Sequence, residues 1–330
     1  MAERTAGGYW VGFDLGATKM MAVVFDPDFK IVGRRRRKTK SGNDGEEGVD
    51  RIRETIVQAL EEARVEPRQI AGIGFGTPGP LNIAKGIILA TPNLGWKALP
   101  LKQLIQKEFG QPVAVLNDVD AGTYGEYRFG AGQGARCVLG VFPGTGIGGG
   151  CVYEGRVLTG RTLSCVEIGH MQLMPNGPLC GCGQRGCLEA LASRLAIAQA
   201  AAAAAARGTA PFLLKEAGTD IANIRSSVLA QSIAAGDKAV EAIVREAARW
   251  LGVGIANAVN LLSPDVVVLG GGLVEAMPEL FMEEADRTSH ARVMPAFRDT
   301  FKLATAKLGD DATATGAAAW ARDSLDQRQA

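Results

Sequence analysis

The sequence predicts an α/β protein built as two domains, and three observations carry this. Its 330 residues exceed one ordinary domain of about 100–200 residues. Strand-like segments come first, then helices and strands alternate, and this order starts again near residue 136. Glycine is in excess: 43 are present, where average usage of about 7% would give roughly 23. With no G-X-Y period, that excess belongs to tight turns and to backbone brought close to ligands.

The first half opens with a short lead, residues 1–8. Two β-rich runs follow, Trp10–Asp14 and Lys19–Phe25, divided by a glycine-bearing turn, and Ile31–Lys38 can add a third strand. Glu46–Arg64 has helical apolar spacing through Val49, Ile52, Ile56, Val57 and Leu60. Ile70–Phe75 reads as a strand, Leu101–Phe109 as a short helix, Pro112–Leu116 as a strand and Val119–Phe129 as a helix. The second half restarts with a hairpin, Arg136–Phe142 and Gly149–Tyr153, and a candidate strand at Arg156–Leu158. Leu188–Arg207 reads as one alanine-rich helix and Asp237–Leu262 as a long amphipathic one. Asp265–Leu269 is a buried strand, Leu273–Thr288 a helix, Phe301–Ala304 a last strand and Ala312–Arg322 a last helix. The basic run Arg34–Lys38 reads as a solvated strand or turn.

Composition excludes several classes. Apolar residues at 47% and charged residues at 22% are globular values, not those of a disordered chain. A net charge of +1 leaves no whole-chain electrostatic footprint for nucleic acid. Six cysteines in so long a chain do not make a disulfide scaffold. The N-terminus has no apolar signal core, and no run of 18 apolar residues occurs, so a cytoplasmic protein with no membrane partner is expected. The two histidines are His170 and His290, so imidazole chemistry must use one of them.

Three glycine loops suit phosphates. In Asp14-Leu15-Gly16-Ala17-Thr18-Lys19 a tight turn carries a carboxylate, a hydroxyl and a cation, a set able to hold phosphate and a metal-bound water. Alone it reads more readily as an ordinary hairpin. Gly144-Thr145-Gly146-Ile147-Gly148-Gly149-Gly150 contains G-x-G-x-x-G, but β-like Cys151-Val152-Tyr153 follows where a dinucleotide fingerprint needs a helix. An anion cradle of backbone N–H groups is the better use of those glycines. Gly270-Gly271-Gly272 sits between a strand and a helix, where a flat ligand could approach the backbone or a helix could pack closely.

His170, Cys180, Cys182 and Cys187 make a Cys₃His set, a structural zinc stoichiometry with no position left open for water. Gly181, Gly183 and Gly186 supply turns that let the thiolates converge. Cys137, Cys151 and Cys165 lie in apolar or β contexts and are expected in the core. Asn117-Asp118 follows an apolar strand and precedes a helix, where Asx residues usually cap. The carboxyl end of a strand also suits a cleft, and an aspartate there can take a proton from a hydroxyl. Asn93 lies in a loop, while Glu167 and Glu189 flank the Cys₃His set.

With these residues in view, the sequence resembles the ROK family of sugar kinases and repressors, within the sugar kinase/Hsp70/actin superfamily, from about Trp10 to Arg322. Its most specific stretch is Glu167-Ile168-Gly169-His170 followed by Cys180-Gly181-Cys182-Gly183-Gln184-Arg185-Gly186-Cys187-Leu188-Glu189. The resemblance implies two ribonuclease-H-like (actin-like ATPase) domains with the active site in the interdomain cleft. Residues 9–130 with 312–330 would form the smaller domain, and 131–311 the larger one with the zinc loop. It implies ATP-dependent phosphorylation of a hexose at its 6-hydroxyl, with glucose expected and Asp118 as the base. Gly79, Asn93, Asn117, Asp118, Glu167, His170 and Glu189 would bind the sugar. Asp14, Gly16, Thr18, Lys19, Thr145, Gly146 and Gly270–Gly272 would bind ATP with Mg²⁺. His170, Cys180, Cys182 and Cys187 would hold a structural Zn²⁺. A homodimer is a further possibility the family raises. The alternatives are another hexose or N-acetylhexosamine (fructose, mannose, N-acetylglucosamine, N-acetylmannosamine), polyphosphate as donor, or a sugar-responsive repressor. Repressors in the family carry a helix-turn-helix domain before the first phosphate loop, for which eight residues give no room. Two positions depart from the family pattern: Phe142-Pro143 precedes Gly144, and Val166 stands where glycine is frequent.

Overall fold

Met20, Ala22 and Val24 alternate with Met21, Val23 and Phe25, and all six are buried. A strand this apolar on both faces needs cover on both, which sets the layering of the first part of the molecule. The computed structural model describes residues 8–39, 45–91, 94–161 and 165–326. Most of the N-terminal lead and Asn93 lie outside the described residues. The chain divides into two compact units, Met1–Gln133 with Gly155–Cys165 and Asp310–Ala330, and Gly134–Glu154 with Val166–Gly309.

The first unit contains β1 (Tyr9–Leu15), β2 (Lys19–Phe25), β3 (Ile31–Lys38), α1 (Gly45–Ala63), β4 (Ile70–Thr77), β5 (Leu81–Asn82), β6 (Ile87–Ala90), β7 (Lys97–Leu99), α2 (Leu101–Phe109), β8 (Val113–Asn117) and α3 (Asp118–Phe129). The chain returns to it for a two-residue strand, Arg156–Val157, and for its last helix. Its main sheet has the order β3-β2-β1-β4-β8. The first three strands are antiparallel, while β4 and β8 join parallel to β1. One face, with Val11, Phe13, Leu15, Met20, Ala22 and Val24, is closed by Ile52, Ile56 and Leu60 of α1 and by Ile105 of α2. On the other face Trp10, Met21, Val23 and Phe25 meet Ala314, Ala318 and Ala321 of the last helix, Ala312–Asp326. That helix lies almost on the sheet. A Cβ on Gly12 would stand 1.9 Å from the Ala314 carbonyl oxygen, and one on Gly74 1.8 Å from that of Ala317.

The second unit contains β9 (Cys137–Pro143), β10 (Ile147–Tyr153), α4 (Leu188–Ala192), α5 (Arg194–Ala206), α6 (Pro211–Ala217), α7 (Ser226–Ala234), α8 (Lys238–Leu262), β12 (Val266–Leu269), α9 (Gly272–Ala276), α10 (Pro278–Arg292) and β13 (Lys302–Thr305), with β11 and α11 naming Arg156–Val157 and Ala312–Asp326 of the first unit. Its strands lie in the order β10-β9-β12-β13. The antiparallel β9–β10 hairpin is extended by parallel pairing of β12 to β9 and of β13 to β12. α8 packs against α10, α4, α5 and α7. Leu188–Ala206 is the one stretch among the described residues apolar and long enough to cross a membrane. Here Leu188, Ala192, Ile197, Ala198 and Ala201 pack into the core with Leu251 and Ile255 of α8.

Several elements differ from the sequence reading. Leu188–Arg207 is two helices, because Ser193 is extended and its hydroxyl caps α5 by accepting the Ala196 N–H at 3.2 Å. Leu273–Thr288 divides at Met277, where Pro278 starts a new helix at its favoured first position. The small sheet β5-β6-β7 and helices α6 and α7 had no counterpart in that reading. Strands of two to four residues are too short to show a period, and α6 is only two turns long. Cys137 and Cys151 are buried, but Cys165 is only partly so, its thiol donating to the Leu158 carbonyl at 3.2 Å.

Candidate functional site

In the first unit, parallel pairing of β1, β4 and β8 sets Asp14 opposite Gly76 and Thr77 opposite Asn117. The carboxyl ends of three adjacent strands therefore present Asp14, Thr77 and Asn117-Asp118 together, the usual side for a ligand on a parallel sheet. The cap expected of the Asn117-Asp118 pair falls to Asn117. Asn117 caps α3, its Oδ1 accepting the N–H groups of Val119 at 3.0 Å and Asp120 at 3.3 Å. Asp118 is the first residue of the helix, and its Oδ1 accepts the Val119 N–H at 3.0 Å. The close approach at Gly76 leaves the room this needs, since a Cβ there would stand 3.5 Å from Cα of Asp118 and 2.3 Å from the Thr313 methyl group. Gly79 borders the same end, its Cβ position 3.9 Å from Asn117 Nδ2.

The Asp14–Lys19 turn is closed by the Gly16 N–H donating to the Lys19 carbonyl at 2.9 Å, and Thr39 Oγ1 donates to the Gly16 carbonyl at 2.9 Å. Glycine is needed at 16 for clearance, because a Cβ would stand 2.8 Å from the Lys19 carbonyl oxygen. Lys19 Nζ meets Asp310 at 2.7 Å, and Arg36 meets the other oxygen of that carboxylate at 2.7 Å. Asp310 was not legible as a site residue, because nothing local marks it and 291 residues separate it from Lys19. The Lys19 hydrogen bond holds its carboxyl below the usual range. Burial, and then repulsion from Asp118, push the Asp14 carboxyl from 3.8 up to about 7, against the pull of Lys19. A buried carboxylate held near neutrality in this way suits a cation beside it, as the chemistry of Mg²⁺ requires. The basic run is an edge strand whose Arg34 and Arg37 pair with Asp311 and Glu54.

In the second unit, the turn between β9 and β10 presents Thr145 and Gly146, with the Gly144 N–H donating to the Gly146 carbonyl at 2.8 Å. The strand after it begins at Ile147, two residues earlier than expected. Glu189 Oε2 accepts the Ile147 N–H at 3.0 Å, and a Cβ on Gly146 would stand 2.3 Å from that same oxygen and push the carboxylate aside. The third glycine turn is adjacent. Gly271, at φ +80°, is the residue before α9, and its Cβ position is 2.8 Å from the Pro143 carbonyl oxygen. The Phe142 ring stands 2.9 Å from where a Gly270 Cβ would be, so the bulk of Phe142 is accommodated by that glycine.

His170 ends a single 3₁₀ turn, Ile168–His170, that follows Glu167. Its Nδ1 lies 3.7 Å from Cys180 Sγ, and Cys182 Sγ lies 3.7 Å from Cys187 Sγ. Ligand atoms of all four residues fall within 4.8 Å of one another. Tetrahedral zinc with Zn–S of 2.3 Å sets sulfur atoms about 3.8 Å apart, so the donor set fits a closed Zn²⁺ site. Burial pushes the Cys180 thiol up to about 12, so a cation is needed to hold it as thiolate. Gly183 and Gly186 both have positive φ, and at Gly186 a Cβ would also stand 1.7 Å from the Met174 carbonyl oxygen. Glu189 Oε1 is 3.6 Å from Cys180 Sγ, so one carboxylate touches both the thiol cluster and the second glycine turn. Val166 has φ +57°, a left-handed conformation that strains a β-branched residue and that glycine takes freely.

The first unit thus carries a carboxylate pair beside a glycine turn, and the second a glycine turn beside a Cys₃His cluster. That combination defines a protein of the sugar kinase and repressor class. The chain belongs to the ROK family, which it matches over residues 10–324. It is 32% identical to a protein named glucokinase from Streptomyces coelicolor, over 96% of this chain and 98% of that one. It is 30% identical to a putative xylose repressor from a Caldicellulosiruptor species, over 94% of this chain and 77% of that one. Among solved structures it resembles a ROK family glucokinase from Streptomyces griseus in complex with glucose and AMPPNP, at TM-score 0.83 and 32% identity, covering 96% of this chain and all of that one.

Proposed function

We propose that this chain is an ATP-dependent hexose kinase that phosphorylates glucose at its 6-hydroxyl. The observation that carries the reading is the placement of Asp118 after β8, at the start of α3, with the buried Asp14 and the Gly16 turn at the same end of β1, one strand away across β4. A base and a phosphate loop so close together suit transfer of a phosphoryl group to a hydroxyl. The similarity to glucokinases along nearly their full length supports it.

In this reading Gly79, Asn93, Asn117, Glu167, His170 and Glu189 hold the hexose. Asp118 accepts the proton of the 6-hydroxyl as the sugar oxygen bonds to the γ-phosphorus and the bond to the β-phosphate oxygen breaks, releasing ADP. Backbone N–H groups at Gly16–Lys19 and Thr145–Gly146 and the Lys19 ammonium face the phosphates, and Gly270–Gly272 lie against the base. Asp14 is the carboxylate for Mg²⁺, which neutralises phosphate charge when bound with the nucleotide. His170, Cys180, Cys182 and Cys187 would hold structural Zn²⁺, which keeps the His170 ring in one orientation.

A coupled assay of glucose, fructose, mannose, N-acetylglucosamine and N-acetylmannosamine, each with ATP and with polyphosphate, tests the reading. The expected result is highest kcat/KM for glucose with ATP. Turnover with none of these pairs overturns it. Asp118→Asn is expected to lower kcat by about 10²–10⁴-fold while glucose binding persists, and near-normal kcat in that variant removes Asp118 from its role.

A further inference from the structure

Arg194 was not among the residues the sequence singled out, yet it touches the second glycine turn at two points. Its backbone N–H donates to the Gly144 carbonyl at 2.8 Å, and its Nη2 donates to Thr145 Oγ1 at 2.9 Å. Its Nη1 reaches the Ile224 carbonyl at 3.4 Å. Two residues beyond Ile224, Ser226 Oγ stands 3.8 Å from the Cβ position of Gly272, so Arg194 spans from the second glycine turn to the segment beside the third. No carboxylate among the described residues lies within ion-pair distance of this guanidinium, and both of its acceptors are neutral. Other arginines of this unit, Arg245, Arg249 and Arg287, share the carboxylate of Glu284. Arg194 also opens α5, the end of a helix where the backbone dipole disfavours a cation.

We propose that Arg194 is a phosphate-binding residue of the nucleotide site, its guanidinium pairing with phosphate oxygens received by the Gly144–Gly146 turn. A planar, weakly hydrated cation with N–H groups left over after two neutral contacts suits a phosphate. The inference rests on the kinase reading but adds a residue that reading does not contain.

The experiment is calorimetric binding of MgATP, adenosine and glucose to the full chain and to Arg194→Gln and Arg194→Lys. Arg194→Gln is expected to weaken MgATP about tenfold or more, with adenosine and glucose unchanged. Arg194→Lys, which keeps the charge, is expected to recover part of that loss and serves as the deciding variant should Arg194→Gln not fold. MgATP affinity within twofold of the parent in Arg194→Gln overturns the proposal, as does equal weakening of adenosine and MgATP, which marks a role in shaping the loop alone. Equal loss in the lysine and glutamine variants overturns the charge argument. A parent protein that phosphorylates glucose while Arg194→Gln binds MgATP normally defeats this inference alone; a parent that binds no MgATP defeats the kinase reading with it.

Discussion

Asp14 shows how burial changes the chemistry of a residue type. Its carboxyl sits at about 7 in the fold against 3.8 ordinarily. The folded state therefore binds a proton there more tightly than the unfolded chain does. The associated stability is complete below the unfolded value and is lost as pH rises through about 7. The size is at most about 4 kcal/mol, by the value of one pKa unit, and smaller to the extent that water reaches the carboxylate. Asp14→Asn is expected to flatten the fall in urea-unfolding stability between roughly pH 4 and pH 7; a parallel fall in parent and variant assigns the dependence to other groups. Asp14, Gly16 and Lys19 could be read from sequence because one turn contains them. Asp310 and Arg194 could not, since each meets its partner only across a long stretch of chain. The helix cap was assigned to the Asn117-Asp118 pair as a whole, and only the geometry gives it to Asn117.

At the scale of elements, the last helix is held by what glycine omits. Gly12 and Gly74 let α11 approach β1 and β4, and Gly316 of the helix approaches the Ala121 carbonyl of α3 with 1.7 Å to a Cβ position. Backbone cannot yield there as a side-chain tip could. Gly74→Ala is expected to cost about 3 kcal/mol or more in unfolding free energy, whereas Gly110→Ala, with nothing near its Cβ position, meets no clash and costs only the strain of its φ of +69°. A Gly74→Ala protein as stable as the parent would show that α11 does not lie against the sheet. The long strands and helices were legible because their apolar periods run over many residues. The breaks at Ser193 and Met277 were not, because each interrupts an apolar pattern that continues on both sides.

At the scale of the whole molecule, the Cys₃His set is expected to bring about one zinc per chain in elemental analysis. Cys180→Ser is expected to lower that content and the Tm together, because a ligand that binds only the folded state stabilises it. Parent protein without metal, or a variant with full metal and unchanged Tm, excludes a structural zinc. The C-x-C spacing and its glycines announced this cluster, and the geometry then supplied what spacing could not. Glu189 reaches both Cys180 and the Ile147 N–H, linking the thiols to the second glycine turn.

By itself the sequence determined the α/β class, the longer elements, the glycine turns and the four thiol and imidazole donors. These are properties of local period, of turn chemistry and of ligands close together along the chain. The tertiary structure alone decided that burial raises the Asp14 carboxyl to about 7, that Lys19 and Arg36 share Asp310, and that Arg194 donates to Thr145. The physical reason is the same in each case. Desolvation, charge proximity and backbone clearance depend on distance in space, and the fold brings together residues that the chain keeps up to 291 positions apart.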